Sequence, residues 1–268
     1  MLKEEILGFL RKNHLRLDTD AGQHFLVDEG TLDEIVAAAE LSPKDSVLEI
    51  GPGIGILTRE LLKRAGHVTA VEIDARFPPL IRSFCGETSK LTISVGNALQ
   101  EQSPAAPYKV VANIPYHITS PLLHHLLLEV ADRPTSITLL IQREVAENIV
   151  SSGSDSILTV LVALFGKAEL TWLVPPTAFI PAPKVDSAVL HIQFFKEPKT
   201  DPDTTQRILK LAKHAMHQRR KMLRNTIGSL EGGEAAMEKT KISPDRRPQT
   251  LTTDEWIALE AAIRSTRA

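Results

Sequence analysis

The chain has 268 residues, of which 43% are hydrophobic and 24% are charged, and its formal net charge is −2. These values are typical of a globular protein and exclude a wholly disordered chain, a collagen and a small disulfide-rich scaffold. The length fits one large α/β domain with a small appendage. Cys85 is the single cysteine, so the chain can form no internal disulfide and no cysteine-rich zinc site.

Neither a membrane span nor a signal peptide is predicted. Apolar runs such as Ile157–Phe165 are too short to cross a bilayer, and residues 1–5 are acidic early and lack a signal-peptide core. Two histidine pairs, at 124/125 and 214/217, lack the carboxylates or cysteines that would complete a metal site. We therefore expect a cytoplasmic protein without metal or membrane contacts, and a monomer because no exposed apolar stripe stands out.

Charge is distributed unevenly along the chain. Residues 191–268 carry 15 Lys and Arg against 10 Asp and Glu, whereas residues 1–190 carry 16 against 23. A basic C-terminal part is compatible with a polyanionic partner. A solvated charged surface explains the same small excess.

Apolar runs separated by helical patterns predict the first part of the fold. The predicted strands are 47–50, 67–73, 91–95, 109–112 and 136–141, with helices at 56–65 and 121–130. Alternating strands and helices favour a parallel, doubly wound α/β sheet. Such sheets bind ligands at the carboxyl ends of their strands.

The C-terminal part is predicted to be smaller and mainly helical. In chain order we expect an exposed loop at 151–156, an outer strand at 186–195, a linker at 196–203, a basic helix at 207–227 and a last helix at 253–265. This pattern divides the chain into a larger domain, 1–195, and a helical, basic domain, 196–268.

A glycine-rich turn follows the first predicted strand of the sheet. Gly51, Gly53 and Gly55 are spaced G-x-G-x-G, which departs from the dinucleotide fingerprint and from the phosphate loop. Glu72 ends the next strand, where a carboxylate can hold both hydroxyls of a ribose. The turn thus favours an adenosine-bearing cofactor without a pyrophosphate, with S-adenosylmethionine the obvious candidate. A purely structural turn is the alternative.

The fourth predicted strand ends in Asn113-Ile114-Pro115-Tyr116, at the same sheet edge. Pro115 makes this corner rigid. The amide oxygen of Asn113 can accept the N–H bonds of an exocyclic amine, which would favour a pyramidal nitrogen with a usable lone pair. Tyr116 can stack on the base, so positioning and electrostatics would supply most of the rate. An ordinary turn after a strand is the alternative.

Several motifs together resemble the ribosomal RNA adenine dimethyltransferases, of the type that acts on the small subunit. The resemblance runs from Gly22 to about Arg264. The motifs that carry it are 22–28 (GQHFLVD), 51–55 (GPGIG), 72–74 (EID), 113–116 (NIPY), 142–146 (QREVA), 179–189 (FIPAPKVDSAV) and 219–225 (RRKMLRN).

The resemblance implies a fold, an activity and a target. The fold is a seven-stranded, Rossmann-like methyltransferase domain followed by a small helical domain. The activity transfers two methyl groups from S-adenosylmethionine to N6 of each of two adjacent adenosines. These adenosines lie in the loop of the 3′-terminal hairpin of 16S rRNA, within an assembling small ribosomal subunit.

The resemblance also assigns roles to residues. The catalytic residues would be Asn113, Pro115 and Tyr116. The cofactor would be bound by Gln23, His24, Leu26, Gly51, Gly53, Gly55, Glu72, Asn97 and Asn113. Phe179 would stack on the target base from the other side, as suits an extruded base. The basic residues Arg219, Arg220, Lys221 and Arg224 would contact RNA, although a solvated helix explains a run of charge equally simply.

Three positions depart from the family pattern. Asn97 stands where the family usually has an acid that accepts a hydrogen bond from the adenine amine of the cofactor. The Asn97 amide oxygen can still accept this bond, but without charge assistance, so we expect weaker cofactor binding. Asp18 and Asp20 stand where the family is usually basic, which argues against phosphate contacts there. The loop at residues 155–156 lacks a Tyr-Gly pair that is common in the family.

Two rival functions are compatible with the same motifs. An Erm-type enzyme would perform the same chemistry on large-subunit rRNA. A non-catalytic assembly factor would bind immature subunits while keeping only the fold, and Asn97 gives that alternative some support. The intact 113–116 motif argues for an enzyme.

Overall fold

The protein forms two compact units. Its structure, a computed structural model, describes residues 2–15, 17–19, 22–101, 103–151, 153–154 and 156–267. The first unit consists of residues 1–146 and 169–194, and the second of residues 147–168 and 195–268. The boundary expected at 195/196 lies next to one of these divisions. The segment 147–168, by contrast, belongs to the second unit, because its apolar helix packs on the C-terminal helices.

Nine strands lie within the described part of the chain. They are β1 (Phe25–Leu26), β2 (Ser46–Ile50), β3 (His67–Glu72), β4 (Leu91–Val95), β5 (Lys109–Asn113), β6 (Ser136–Gln142), β7 (Gly166–Val174), β8 (Phe179–Ile180) and β9 (Ser187–Phe194). Strands β2 to β6 coincide with the five strands predicted from apolar runs. Nearly all residues of β2, β5 and β6 are buried, which explains why each gives a continuous apolar run instead of an alternating one.

Helices lie before and between the strands along the chain and follow the last of them. They are α1 (Leu2–Lys12), α2 (Glu29–Ala38), α3 (Ile56–Leu62), α4 (Phe77–Cys85), α5 (Thr119–Leu128), α6 (Arg143–Val150), α7 (Ile157–Phe165), α8 (Pro202–Met216), α9 (Gly233–Thr240) and α10 (Thr253–Arg267). Side-chain caps fix several of their first turns. The Asp28 carboxylate accepts the Thr31 amide at 2.7 Å to start α2, and the Asp201 carboxylate accepts the Thr204 amide at 2.9 Å to start α8.

Seven of the strands form one sheet in the order β4-β3-β2-β5-β6-β9-β7. The pairs β4–β3, β3–β2, β2–β5 and β5–β6 are parallel, and β9 runs antiparallel to β6. The predicted α/β class and seven-stranded sheet are therefore confirmed. The sheet places the carboxyl ends of β3, β2 and β5 side by side, where the glycine turn, Glu72 and Asn113 lie.

One strand is not where its sequence pattern predicted it. Residues 186–195 were expected to form an outer strand, but β9 lies between β6 and β7 in the sheet. Most of β9 is consequently buried on both faces. The strand at this edge of the sheet is β7, and β4 forms the other edge. The partly exposed residues of β7, Trp172 included, did not give an interpretable apolar pattern.

The second unit corrects two further expectations. The 151–156 segment is not simply an exposed loop, because Ser154 is 1% exposed and its hydroxyl donates to the Leu251 carbonyl at 2.7 Å. The same hydroxyl accepts the indole N–H of the buried Trp256 at 2.9 Å. The predicted helix 207–227 ends early: α8 stops at Met216, and turns lead to a short 3-10 segment, Leu223–Asn225.

Across the described ranges no helix is long and apolar enough to span a membrane.

A separate two-stranded ladder joins β1 to β8 in the first unit, with Phe25 opposite Ile180 and Leu26 opposite Phe179. This ladder brings the N-terminal GQHFLVD motif beside the FIPAPK motif, although the two are about 150 residues apart in sequence.

Candidate active site

A cavity of about 350 Å³ opens at the carboxyl ends of β2, β3 and β5. Of the nine residues expected to bind a cofactor, eight line it: Gln23, His24, Leu26, Gly51, Gly53, Glu72, Asn97 and Asn113. The ninth, Gly55, does not. A Cβ atom built on Gly55 would lie 2.7 Å from the Cys85 sulfur, so this glycine allows α3 to pack on α4.

The glycine turn and Glu72 are held together by hydrogen bonds. The Glu72 carboxylate accepts the Gly53 amide and the Asp74 amide, each at 3.0 Å. Gly53 has a φ of +57°, and a Cβ atom there would lie 2.7 Å from the Phe25 ring. Burial raises the pKa of Glu72, and the two amide hydrogen bonds oppose that rise. The result is a fixed carboxylate beside a backbone that leaves room for a ligand.

Glu49 is a cavity residue that the sequence interpretation missed. It is 1% exposed, lines the cavity, and its Oε2 atom has no hydrogen-bond partner in the part of the chain that the structure describes. Burial, aided by the nearby charge of Glu72, raises the pKa of Glu49 to about 8. Its position in a strand directly before the glycine turn was the available signal, since a buried strand otherwise holds apolar residues.

The raised pKa of Glu49 predicts a pH-dependent stability. Folded Glu49 titrates near pH 8 and an ordinary glutamate near 4.5, so the unfolded chain releases this proton first. The stability that Glu49 contributes is complete below pH 4.5 and is lost as the pH rises to 8, by up to about 1.4 kcal/mol per pH unit. Urea unfolding from pH 5 to 8 should show a shallower decline in Glu49→Gln than in the wild type.

The matched control for this experiment is Glu87→Gln. The Glu87 side chain is 78% exposed and its contact with Arg82 is 3.4 Å long, so the substitution should leave the pH dependence of unfolding unchanged. Equal pH slopes for wild type and Glu49→Gln would show that Glu49 titrates normally in the folded protein.

A second cavity of about 390 Å³ lies next to the first. It contains Asn113, Pro115 and Tyr116, which were predicted to be catalytic, together with Phe179. The two cavities share five lining residues: Gly22, His24, Asn113, Pro115 and His117. A group bound in one cavity can therefore reach a group bound in the other at the position of Asn113.

The Asn113 amide is oriented by the N-terminal segment. Its Nδ2 atom donates to the His24 carbonyl at 3.4 Å, which turns the amide oxygen away from that contact. The His24 ring is itself fixed, since Nδ1 lies 2.6 Å from the Pro181 carbonyl oxygen and must donate to it. The β1–β8 ladder thus positions the side chain that joins the two cavities.

Two further lining residues were not assigned a role from sequence. Gln142 ends β6 and faces the second cavity, and His117 follows the 113–116 motif and lines both cavities. Both follow the carboxyl end of a predicted strand, which is the signal that could have identified them. The Pro181 carbonyl had no such signal, because backbone groups carry no sequence information.

The basic residues expected to contact RNA belong to the second unit. Arg219, Arg220, Lys221 and Arg224 are exposed, but they lie in turns and a 3-10 segment beyond α8 and not on one helix face. Arg224 also pairs with Asp245. Asp20 and Asp155, which were singled out as departures from the family pattern, lie outside the described residues.

Solved structures share this architecture. The chain aligns with a 23S rRNA methyltransferase, ErmE, at 28% identity and a TM-score of 0.72, covering 90% of this chain and 99% of the other. It aligns with a dimethyladenosine transferase from Plasmodium falciparum at 26% identity and a TM-score of 0.74, covering 91% and 98%. Fold and site together define an enzyme of the Rossmann-like methyltransferase class.

The sequence comparisons narrow this class. The family model described as ribosomal RNA adenine dimethylase matches residues 14–264, and the chain belongs to that family. Relatives named ribosomal RNA small subunit methyltransferase A are 36% identical in Clostridium botulinum (strain Loch Maree / Type A3), over 95% of this chain and 96% of theirs. In Dehalococcoides mccartyi (strain ATCC BAA-2100) the identity is 39%, over 95% and 89%.

Proposed function

We propose that this protein dimethylates N6 of two adjacent adenosines in the 3′-terminal hairpin loop of small-subunit rRNA, with S-adenosylmethionine as methyl donor. The observation that carries this proposal is that Asn113 lines two adjacent cavities. The first also contains the Glu72 carboxylate, which is fixed by hydrogen bonds, and the second contains the rings of Tyr116 and Phe179. The names of the sequence relatives support the small subunit as the target. The enzyme would act as a cytoplasmic monomer during subunit assembly.

The first cavity fits the proposed methyl donor. The buried Glu72 carboxylate suits the two hydroxyls of a ribose. Gly53 has a φ of +57°, and the Phe25 ring fills the side where its Cβ atom would lie, so glycine is required in this turn of the cavity wall. When bound, S-adenosylmethionine supplies a methyl group activated by its sulfonium. Glu72 and the glycine turn would hold this donor in the first cavity, which adjoins the second.

The second cavity fits an extruded adenine. Tyr116 and Phe179 both line it and offer ring faces against which a planar base can stack. The Asn113 amide oxygen accepts an N–H of the exocyclic amine, which weakens conjugation of the nitrogen lone pair with the ring. The new N–C bond would form as the bond between the methyl group and the donor's sulfur breaks, leaving S-adenosylhomocysteine. Positive charge would then develop on the adenine nitrogen, where the Asn113 oxygen would stabilise it. The displaced proton passes to solvent.

Methyl transfer to under-methylated small subunits tests the proposal. Purified protein, labelled S-adenosylmethionine and these subunits should yield N6,N6-dimethyladenosine in the 3′-terminal hairpin after digestion of the rRNA. Large subunits run in parallel should remain unlabelled. Label in large-subunit rRNA instead would support the Erm-type alternative, which the similarity to ErmE keeps open. Subunit binding without transfer would support the assembly-factor alternative.

Asn97 offers a separate test of the cofactor cavity. Its Oδ1 atom accepts the Leu99 amide at 3.0 Å, and the residue lines the cavity. An aspartate would keep this contact and add charge to the hydrogen bond proposed for the adenine amine, which strengthens such bonds roughly twofold. Calorimetry should show that Asn97→Asp binds S-adenosylmethionine about fivefold more tightly, a gain of about 1 kcal/mol.

The control variant for that measurement is Asn97→Ala, which removes both contacts and should bind the cofactor more weakly than the wild type. Weaker binding by Asn97→Asp than by the wild type would place the adenine amine elsewhere in the cavity.

A further inference from the structure

Ser187 contacts the aromatic ring that the proposed reaction needs. It opens β9 and pairs with Gln142 in the β6–β9 ladder, and the residue is 0% exposed. Its hydroxyl oxygen lies 2.6 Å from the hydroxyl oxygen of Tyr116. Ser187 is not among the residues that line either cavity, but from strand β9 its side chain reaches Tyr116 of the 113–116 motif.

The contact matters because the Tyr116 side chain makes no other hydrogen bond with the residues that the structure describes. Its backbone carbonyl accepts the Thr119 hydroxyl at 3.0 Å, which fixes the short 3-10 turn but not the ring. Among the described residues, the Ser187 hydroxyl is the hydrogen-bond partner of the Tyr116 hydroxyl. The chain's other tyrosine, Tyr108, donates instead to the Asp132 carbonyl at 2.9 Å.

We propose that Ser187 is a positioning residue, which holds the Tyr116 ring in the plane that stacks on the target base. This inference rests on the proposed function, because it assigns that base to the second cavity. A short hydrogen bond at the phenolic oxygen fixes that end of the side chain and therefore the first torsion of Tyr116. Because a phenolic O–H prefers to lie in the plane of its ring, the direction of the same bond also favours one orientation of the ring plane. Without it the ring would sample other orientations, and the amine would spend less time at the Asn113 oxygen.

The inference predicts a fall in kcat rather than in binding of the substrate. A subunit is a large substrate, and most of its contacts lie outside one base, so KM should change little. One hydrogen bond between neutral groups corresponds to roughly a two- to twelvefold effect. Ser187→Ala should therefore lower kcat by that factor and leave the affinity for S-adenosylmethionine unchanged.

A double-mutant cycle separates positioning from general damage. Ser187→Ala, Tyr116→Phe and the double variant are compared in single-turnover methyl transfer. Removing either hydroxyl breaks the same bond, so the double variant should be no slower than Tyr116→Phe alone. An equal loss from Ser187→Ala in both backgrounds would overturn the inference, as would an unchanged kcat in Ser187→Ala.

Ser136→Ala is the matched control. Ser136 is a buried serine, 2% exposed, at the other end of the same β6–β9 ladder, where it pairs with Gln193. Any cost of losing a buried hydroxyl from this sheet should appear in both variants during urea unfolding. Only Ser187→Ala should change kcat.

A spectroscopic measurement tests the inference without any methyl transfer. The chain has two tyrosines, so 3-fluorotyrosine labelling gives two fluorine signals, which Tyr116→Phe assigns. Ser187→Ala should move the Tyr116 signal and leave that of Tyr108 in place. An unmoved Tyr116 signal would contradict the inference, whereas a wild-type protein that transfers no methyl group to subunits would contradict the proposed function.

Discussion

Replacing Asn113 with alanine is expected to lower methyl transfer by about two to three orders of magnitude, the usual effect of removing one preorganised group that stabilises developing charge. Asn113 lines both cavities, and the orientation of its amide is set by the Nδ2 contact with the His24 carbonyl. No other side-chain amide of the described residues lines both cavities. Single-turnover transfer to under-methylated subunits measures the effect.

Cofactor affinity should change by no more than about twelvefold in the same variant, because one neutral hydrogen bond contributes no more than about 1.5 kcal/mol. Asn13→Ala is the matched control, since Asn13 also donates its side-chain amide to a backbone carbonyl, that of Phe9 at 2.9 Å, at the end of α1. It should retain wild-type rates. A rate in Asn113→Ala within tenfold of the wild type would remove Asn113 from the catalytic role.

Glu72→Ala is expected to weaken binding of S-adenosylmethionine by about 100-fold or more. The substitution removes the carboxylate proposed to hold the ribose and leaves the amides of Gly53 and Asp74 without their acceptor. Hydrogen bonds to a charged group contribute roughly 1.5–3 kcal/mol each. Losing two such contacts to the ribose therefore costs about 3 kcal/mol or more, which corresponds to a loss in affinity of about 100-fold or more. Isothermal titration calorimetry with S-adenosylmethionine measures it directly.

Glu60→Ala controls for the loss of a carboxylate from the same unit. Glu60 lies on α3 and pairs with Lys63 at 2.7 Å, outside the set of residues that line the cavity. Its replacement should leave the dissociation constant unchanged. Binding by Glu72→Ala that matches the wild type would mean that the ribose is held elsewhere.

The sequence predicted the parallel half of the sheet because most of its strands, β2, β3, β5 and β6, are largely buried. Such strands appear as short apolar runs, and their carboxyl ends placed Glu72 and Asn113 at one edge. Strand β7 was missed since its residues are partly exposed at the edge of the sheet. The helix expected over 207–227 ends early for a local reason. The charges at 219–221 have helical spacing relative to those at 210–217, but they lie in the turns and the bend that follow Met216.

Within the site, motifs predicted which residues line the cavities but not how they are held. The Tyr116–Ser187 bond joins residues 71 positions apart, and the His24–Pro181 bond joins residues 157 apart. Such pairs follow from the strand order, which a single sequence does not specify. For Gly55 the motif predicted a contact that the structure does not show. Its place in the glycine turn suggested a ligand contact, but Gly55 packs against Cys85.

The position of β9 has a consequence for how the protein is synthesised. Strand β9 follows β7 in the chain but lies between β6 and β7 in the sheet. During translation β7 therefore emerges before the strand that joins it to β6, and the sheet stays open at that side until residues 187–194 have left the exit tunnel. Ser187 and the β8 segment arrive in the same interval, so the nascent chain completes its second cavity only after more than about seven-tenths of it has been made.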